Sequence, residues 1–240
     1  FCTAAFCIKY NIKFIRENMN IQNRKNKRSN RSTNSKNTEF YIVYTVAFLL
    51  IACFLYLRFY LNGKSLVWSH DGVPQHLNSL AYYGRYLRGI LYTIFVEHRF
   101  SIPMWDLHIG YGSDILTTLN YYVIGDPLTL LAVFCPSSKT EILYEFLIFL
   151  RIYLAGIAFS RYCFYHKNSR QATFMGCMIY IFAGWTIYAA MKHPYFSNPM
   201  IYLPLILMGI DKIYKKEKPY LFIWSVAVAG LSNFYFFYML

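Results

Sequence analysis

One acidic residue follows the first long apolar segment of the chain by about ten residues, in a setting that suits proton transfer. Asp71 lies in the segment SHDGVPQH at residues 69–76, between His70 and His76. A carboxylate held near lipid headgroups can accept a proton from a hydroxyl group, or ligate a divalent cation with help from a neighbouring His or from Gln75. The alternative is structural: Asp-Gly is a common turn, and Pro74 would then start the next helix.

Two further acids, Asp114 and Asp126, follow in the same polar region of the chain. Either could meet Asp71 across a cleft and help to bind a substrate. Ser-Asp at 113–114 and Asp-Pro at 126–127 are also ordinary helix starts, in which the carboxylate accepts hydrogen bonds from free backbone amides. The sequence leaves both interpretations open.

Three basic side chains have positions suited to an anionic ligand. Arg151 lies near the middle of an apolar run, where a cation needs a polar cavity or a partner. It either lines a cavity that holds an anionic lipid head, or pairs with Glu145 or with helix carbonyls. Lys192 and His193 follow another apolar run and supply donors for a phosphate, although Lys192 could instead only extend its ammonium towards the interface.

The elements that must position these residues are membrane helices. Hydrophobic residues make up 57% of the chain and charged residues only 15%, which is too apolar for a soluble domain of 240 residues. Several apolar runs approach the roughly 20 residues that cross a bilayer. We therefore predict an all-α polytopic membrane protein with about five spanning helices, at residues 40–61, 142–160, 172–191, 199–210 and 220–240.

The distribution of charge predicts the orientation. The formal charge is +13, but the cations cluster beside the apolar runs, which indicates a lipid bilayer rather than nucleic acid as the partner. By the positive-inside rule the amino terminus is cytoplasmic, and the long polar region at 62–141 is external. We expect that region to carry helices lying in the interface, one over 77–95 and a second starting after Asp114.

The chain divides into a basic head and a membrane domain. Residues 1–39 are too polar to fold and are predicted to be a disordered cytoplasmic head, with residues 1–18 interpreted as upstream read-through before Met19. Residues 40–240 form the membrane domain, which we expect to be incomplete at its carboxyl end. No Walker loop, HExxH, GxSxG or zinc-ligand spacing is present, so nucleotide hydrolysis and metalloprotease chemistry have no support.

Several segments in a fixed order resemble the bacterial YfhO membrane-protein family. They are residues 68–76 (WSHDGVPQH), 110–114 (GYGSD), 121–127 (YYVIGDP), 193–205 (HPYFSNPMIYLPL) and 231–239 (LSNFYFFYM). The resemblance runs from about residue 40 to the end. It implies a fold and an activity like those of the GT-C glycosyltransferases, which take a sugar from a polyprenyl-phosphate carrier at the outer membrane face.

The resemblance also implies roles. The GT-C pattern places an essential acid in the first external loop, which matches Asp71 as the catalytic residue. The acceptor would be an anionic cell-envelope polymer such as lipoteichoic acid. Substrate-binding residues would be His70, Gln75, His76, Asp114, Asp126, Arg151, Lys192 and His193.

No cofactor is predicted with certainty. A divalent cation, Mg²⁺ or Mn²⁺, stays open because some GT-C enzymes use one, and His70, Asp71 and Asp114 could form its site. Two alternatives to a transferase remain: a lipid or sugar flippase, and a non-catalytic accessory protein of a glycosylation machine. Broken half-helices and an inverted repeat would favour the flippase.

Overall fold

The computed structural model describes residues 37–238 and residue 240. Apart from its last three residues, which begin the first helix, the predicted basic head lies outside the described residues, and so does the expected read-through at 1–18. By its internal contacts the chain divides into two compact units, Phe1–Leu50 and Ile51–Leu240. All the site residues discussed below belong to the second unit.

The described residues are almost entirely helical. The α-helices are α1 (Asn37–Leu61), α2 (Asn78–Phe95), α3 (Ile115–Asn120), α4 (Thr140–Tyr165), α5 (Arg170–Ile181), α6 (Gly184–Lys192), α7 (Asn198–Tyr214), α8 (Tyr220–Ser232) and α9 (Phe234–Phe237). A π-helix occupies Gly72–Leu77, and 3₁₀-helices occupy Pro127–Phe134, Ser137–Lys139 and Pro194–Ser197. Strands β1 (Trp105–Asp106) and β2 (Ser113–Asp114) form one antiparallel hairpin, with Trp105 opposite Asp114.

The helices confirm an all-α membrane protein, but fewer of them than predicted are long enough to span a bilayer alone. By length and composition, α1 qualifies, as does the helical stretch Ser137–Tyr165 that contains α4. Helices α5 and α6 qualify as one span only if their 45° bend is accepted. Among the described residues this gives two or three candidate spans rather than five, because α7 has 17 residues and α8 has 13.

Helix α4 organises the second unit. It packs against α5 and α7, and α7 packs in turn against α8. The last contact is close because Gly209 of α7 has no side chain: a Cβ atom there would lie 2.7 Å from the Cα atom of Phe222 in α8. Backbone-to-backbone approach of this kind is common where membrane helices associate.

The predicted external region, residues 62–141, folds on α2. This helix packs against the 3₁₀-helix Pro127–Phe134, and Nη1 of Arg88 donates to the Ala132 carbonyl at 3.0 Å. The helix expected after Asp114 forms, but it ends at Asn120. The reason is a turn in which the Leu119 carbonyl accepts hydrogen bonds from the amides of residues 122, 123 and 124.

Candidate functional site

The start of the π-helix holds Asp71. Its backbone carbonyl accepts hydrogen bonds from the amides of Gln75 and His76, and the second of these is the i→i+5 bond of a π-helix. The side chain of Asp71 caps no amide; instead Nε2 of Gln75 donates to its Oδ1 at 3.0 Å. The Asp71 side chain is 38% exposed, so part of the carboxylate faces outward and can meet a ligand.

Two histidines lie behind this carboxylate in series. Nε2 of His193 is 4.0 Å from Oδ2 of Asp71, and Nδ1 of His193 is 2.8 Å from Nε2 of His76. Nε2 of His193 faces the Asp71 carboxylate from beyond hydrogen-bonding distance, and the nearby acceptor favours a proton on that nitrogen. Nδ1 of His193 is then an acceptor, and the donor in the second contact is Nε2 of His76. This group of three is called the Asp71 cluster below.

Burial keeps both imidazoles neutral at physiological pH. Desolvation, reinforced by the nearby His193, lowers the pKa of His76 to about 4 against a weaker opposing effect of Asp71. Desolvation also lowers the pKa of His193, with Asp71 opposing it and Lys192 adding to it. The carboxylate of Asp71 is therefore backed by a neutral imidazole rather than by an imidazolium charge.

Aromatic side chains and one lysine border the cluster. The hydroxyl of Tyr122 donates to Oε1 of Gln75 at 2.9 Å, which fixes the amide that holds Asp71. The Trp68 ring packs against His193 with 5.8 Å between centroids, and Nζ of Lys192 lies 4.3 Å from the centroid of the same Trp68 ring. This cation–π contact holds a positive charge beside the histidines. His70 is exposed and stacks on Trp68.

Arg151 and Asp126 form a second, fully buried group. Nη2 of Arg151 is 2.7 Å from Oδ2 of Asp126, and only 4% and 2% of the two side chains is exposed. Asn198 joins them: its Oδ1 accepts from Nε of Arg151, and its Nδ2 donates to Asp126 and to Ser232. Burial alone would raise the pKa of Asp126. The Arg151 guanidinium and the hydrogen bonds to the carboxylate outweigh burial and hold this pKa below its usual value.

Pairing with Glu145, one of the alternatives for Arg151, was therefore wrong. Glu145 instead accepts from the Tyr60 hydroxyl and from the Leu66 amide, both at 2.9 Å. The alternative, in which Arg151 holds a lipid headgroup, is also wrong because the space beside Arg151 is too small for a headgroup. The cavity that Arg151 shares with His76 has a volume of about 20 Å³, enough for about one water molecule.

The other two acids do not join Asp71. Oδ1 of Asp114 accepts from the Thr117 amide at 2.7 Å and caps α3, so the helix-start interpretation describes it. Asp126 caps the following 3₁₀-helix through the Leu128 amide as well as pairing with Arg151. Neither acid meets Asp71 across a cleft.

Metal binding is not supported by a ready cluster. In residues 37–238 and 240, no three or more His, Cys, Asp and Glu side chains come together as ligands for an ion. His70, Asp71 and Asp114 in particular do not form such a group. The divalent cation stays a prediction.

Some residues of these groups escaped the sequence analysis. Asn198 and Ser232 were not singled out; they occur only within the segments 193–205 and 231–239 that resemble the family. Tyr195, whose ring packs 5.1 Å from His76 between centroids, was not considered either. A buried Arg needs an acid together with neutral hydrogen-bonding groups. This requirement was the one feature of the sequence that could have pointed to the Asn198 amide and the Ser232 hydroxyl.

The sequence of the chain can be compared with those of known proteins. The sequence model of the family described as bacterial membrane protein YfhO matches residues 43–240. The chain belongs to the YfhO family.

A curated relative from Bacillus subtilis (strain 168), named "Uncharacterized protein YfhO", is 24% identical over 194 residues, which are 74% of this chain. The chain spans about a fifth of that relative, 21% of its length. No solved structure matches the chain. The YfhO-family match covers both the Asp71 cluster and the buried Arg151 group, and it makes the protein a membrane protein.

Proposed function

We propose that this YfhO-family chain contributes the active site of a membrane glycosyltransferase, which moves a sugar from a polyprenyl-phosphate carrier to an anionic cell-envelope polymer such as lipoteichoic acid. The reaction would take place at the outer face of the membrane. One observation carries the proposal: a partly exposed carboxylate, Asp71, is oriented by Gln75 and backed by two neutral histidines, in the region predicted to be external.

The chemistry assigned to Asp71 is general base catalysis. An acceptor hydroxyl would give its proton to Asp71 while its oxygen forms a bond to the anomeric carbon of the sugar. The bond from that carbon to the phosphate oxygen breaks, and the polyprenyl phosphate leaves with the electron pair. Gln75 orients the carboxylate through its hydrogen bond, and the imidazole of His193 lies 4.0 Å behind the carboxylate without neutralising it. The energy comes from the sugar-phosphate bond, so no nucleotide site is needed.

The departing phosphate needs a cation, and Lys192 is the side chain that fits. Its ammonium lies beside Trp68 and next to His193 in sequence, and a preorganised donor at a leaving oxygen supplies several kcal/mol of transition-state stabilisation. Arg151 was expected to share this role. It does not suit it, because its guanidinium is already paired with Asp126 and shielded from solvent.

One observation favours a second function, a flippase. Helices α5 and α6 are bent by 45° at a short break, and broken helices commonly form the substrate path of transporters. In that case Asp71 and Lys192 would bind the headgroup of a lipid-linked sugar during translocation rather than during transfer.

Membranes containing or lacking the complete gene product separate the two functions. They would be supplied with a polyprenyl phosphate that carries a radiolabelled sugar, together with acceptor polymer. A transferase gives label on the polymer that depends on the protein, with release of polyprenyl phosphate. Protein-dependent movement of labelled lipid between leaflets without label on the polymer would contradict the proposal and favour the flippase.

A further inference from the structure

A second cleft lies between α2 and the β1–β2 hairpin. Its volume is about 330 Å³, within the roughly 300–1,000 Å³ range of small-molecule sites. It shares no lining residue with the Asp71 cluster or with the buried Arg151 group. The side chains that matter for its chemistry are Tyr82, Arg85, Tyr86, Ser101, Trp105 and Asp106.

Hydrogen bonds hold the aromatic walls of this cleft in place. The Tyr82 hydroxyl donates to Oδ2 of Asp106 at 2.6 Å, and the Tyr86 hydroxyl donates to the Pro103 carbonyl at 2.9 Å. The two tyrosine rings stack with 6.3 Å between centroids. The cleft is therefore preformed, which lowers the entropic cost of binding a ligand.

One negative and one positive group face the same space. The Tyr82 hydroxyl, followed by the His108 amide and side chain, lowers the pKa of Asp106 to about 2, so this carboxylate is ionised at neutral pH. The Arg85 guanidinium lies 5.9 Å from the centroid of the Tyr82 ring. Within the described part of the chain it has no protein hydrogen-bond acceptor, so its N–H groups are available. The lining of the cleft therefore includes both an acceptor and a donor.

Trp105 provides a flat apolar surface at the cleft. The residue is 61% exposed, although it lies in a strand and could have packed inward. Gly112 lies against its indole, and a Cβ atom there would come within 3.2 Å of Nε1, so the absence of a side chain leaves room for this ring position. A large exposed indole in a preformed cleft is a surface for stacking.

We propose that this cleft binds a pyranose ring. A sugar ring has an apolar C–H face that stacks on an aromatic side chain, and it has hydroxyls at its edge that both donate and accept. Trp105 meets the face, Asp106 accepts from hydroxyls, and Arg85 donates to them. An anion fits less well, because Asp106 would repel it. That the ring belongs to the acceptor polymer rests on the proposed function, but binding itself does not.

Saturation-transfer NMR on the complete gene product in nanodiscs tests the site, because it detects binding in the millimolar range without turnover. The probes are the methyl glycosides of glucose, galactose, mannose and N-acetylglucosamine. We expect at least one to bind, and Trp105→Ala to weaken that binding by about tenfold or more. Trp105→Phe should keep most of it, and Arg85→Gln, a change at an exposed side chain, should weaken it several-fold.

The matched control is Tyr111→Ala, which removes a fully exposed aromatic ring from the same hairpin without touching the cleft. It should leave binding unchanged. So should Asp71→Asn, which separates this site from the proposed transferase chemistry. Absence of binding by all four glycosides, binding that survives both Trp105→Ala and Arg85→Gln, or displacement of the sugar by inorganic phosphate would each overturn the proposal.

Discussion

Asp71, His193 and His76 form a series in which each group limits the choices of the next. The carboxylate 4.0 Å away favours the His193 tautomer with its proton on Nε2, and in that tautomer Nδ1 of His193 accepts from Nε2 of His76. Nδ1 of His76 is buried and has no hydrogen-bond partner in the described structure. A buried nitrogen of this kind is costly to protonate without a partner, so the series is built to work with neutral imidazoles.

This arrangement predicts a pH dependence of stability. The pKa of His76 is about 4 in the folded protein and near 6.5 when unfolded. Above pH 6.5 the residue is neutral in both states, so it takes nothing from the free energy of unfolding there. As the pH falls from 6.5 towards 4, the unfolded state binds a proton and the folded state does not. We expect His76 to reduce the free energy of unfolding over that range by up to about 3 kcal/mol.

Thermal unfolding in detergent between pH 7.5 and 4 measures this effect. The control variant is His76→Gln, whose amide can still donate to His193 but does not titrate. The variant should lose less of its melting temperature on acidification than the wild type does. Equal losses in the two proteins would show that His76 is not responsible.

At this scale the sequence predicts which residues lie together locally, but not which distant residue they contact. Asp71, Gln75 and His76 are close in sequence, so a turn or helix start brings them together. His193 is 117 residues from His76, and only the packing of the helices makes that contact. Local spacing contains no information about it.

The buried Asp126–Arg151 pair joins elements that are far apart in the sequence. Asp126 precedes the 3₁₀-helix Pro127–Phe134, Arg151 lies in α4, Asn198 begins α7, and Ser232 ends α8. Four segments therefore meet at one ion pair and its amide. Arg151 also lines the small cavity that His76 lines, so the pair lies near the Asp71 cluster.

Breaking that pair should destabilise the protein strongly. Asp126→Asn leaves the Arg151 guanidinium buried without a counter-charge, and we expect a loss of about 3–5 kcal/mol of stability. The double variant Asp126→Leu with Arg151→Met removes both charges and should recover most of the loss. Melting temperatures of the two variants in detergent measure this difference. A double variant that is no more stable than Asp126→Asn would contradict the assignment.

The contact between α7 and α8 should be sensitive to the size of the side chain at position 209. In Gly209→Ala the new methyl group would lie 2.7 Å from Cα of Phe222, so the helices must separate, at a cost of about 1–3 kcal/mol. Gly89→Ala in α2 is the matched control, because no atom lies within 4 Å of its Cβ position. It should be neutral or slightly stabilising in the same melting experiment. Equal effects of the two changes would argue against tight α7–α8 packing.

Helix geometry explains one error of the sequence analysis. Glu145 and Arg151 are six residues apart in α4, and residues at that spacing point to different faces of a helix. The pairing with Glu145 could thus have been excluded once a helix was predicted. Asp126 could not have been chosen in its place, because nothing local distinguishes it from Asp114 as a helix cap.

For the molecule as a whole, composition predicted the class and overestimated the number of spans. Apolar content identified a membrane protein, and the runs at 40–61 and 142–160 became α1 and α4. The run at 172–191 contains the bend between α5 and α6, which hydropathy cannot detect because both halves are equally apolar. The run at 220–240 is interrupted at Asn233, where the backbone is extended and the amide side chain donates to the Tyr121 carbonyl.

The predicted orientation can be tested by cysteine labelling. In a variant of the complete gene product with its native cysteines, including the six of this chain, replaced by alanine, we would introduce Tyr111→Cys or Lys216→Cys. A membrane-impermeant maleimide should label Cys at 111 in intact cells and Cys at 216 only after permeabilisation, because the positive-inside rule places the lysine-rich segment in the cytoplasm. Labelling at position 216 but not at position 111 in intact cells would contradict the predicted topology, and with it the external location of Asp71.

The central claim, that Asp71 is the base of a sugar transfer, is tested most directly by single-turnover transfer with Asp71→Asn. Membranes containing the complete gene product would be given a polyprenyl-phosphate-linked sugar and acceptor polymer, and donor binding would be measured on the same sample. Glu97→Gln, which changes another acid of the predicted external region, is the control. We predict a loss of transfer of about 10²-fold or more with donor binding retained. Undiminished transfer by Asp71→Asn would contradict the assignment and leave the Asp71 cluster with a structural or scaffolding role.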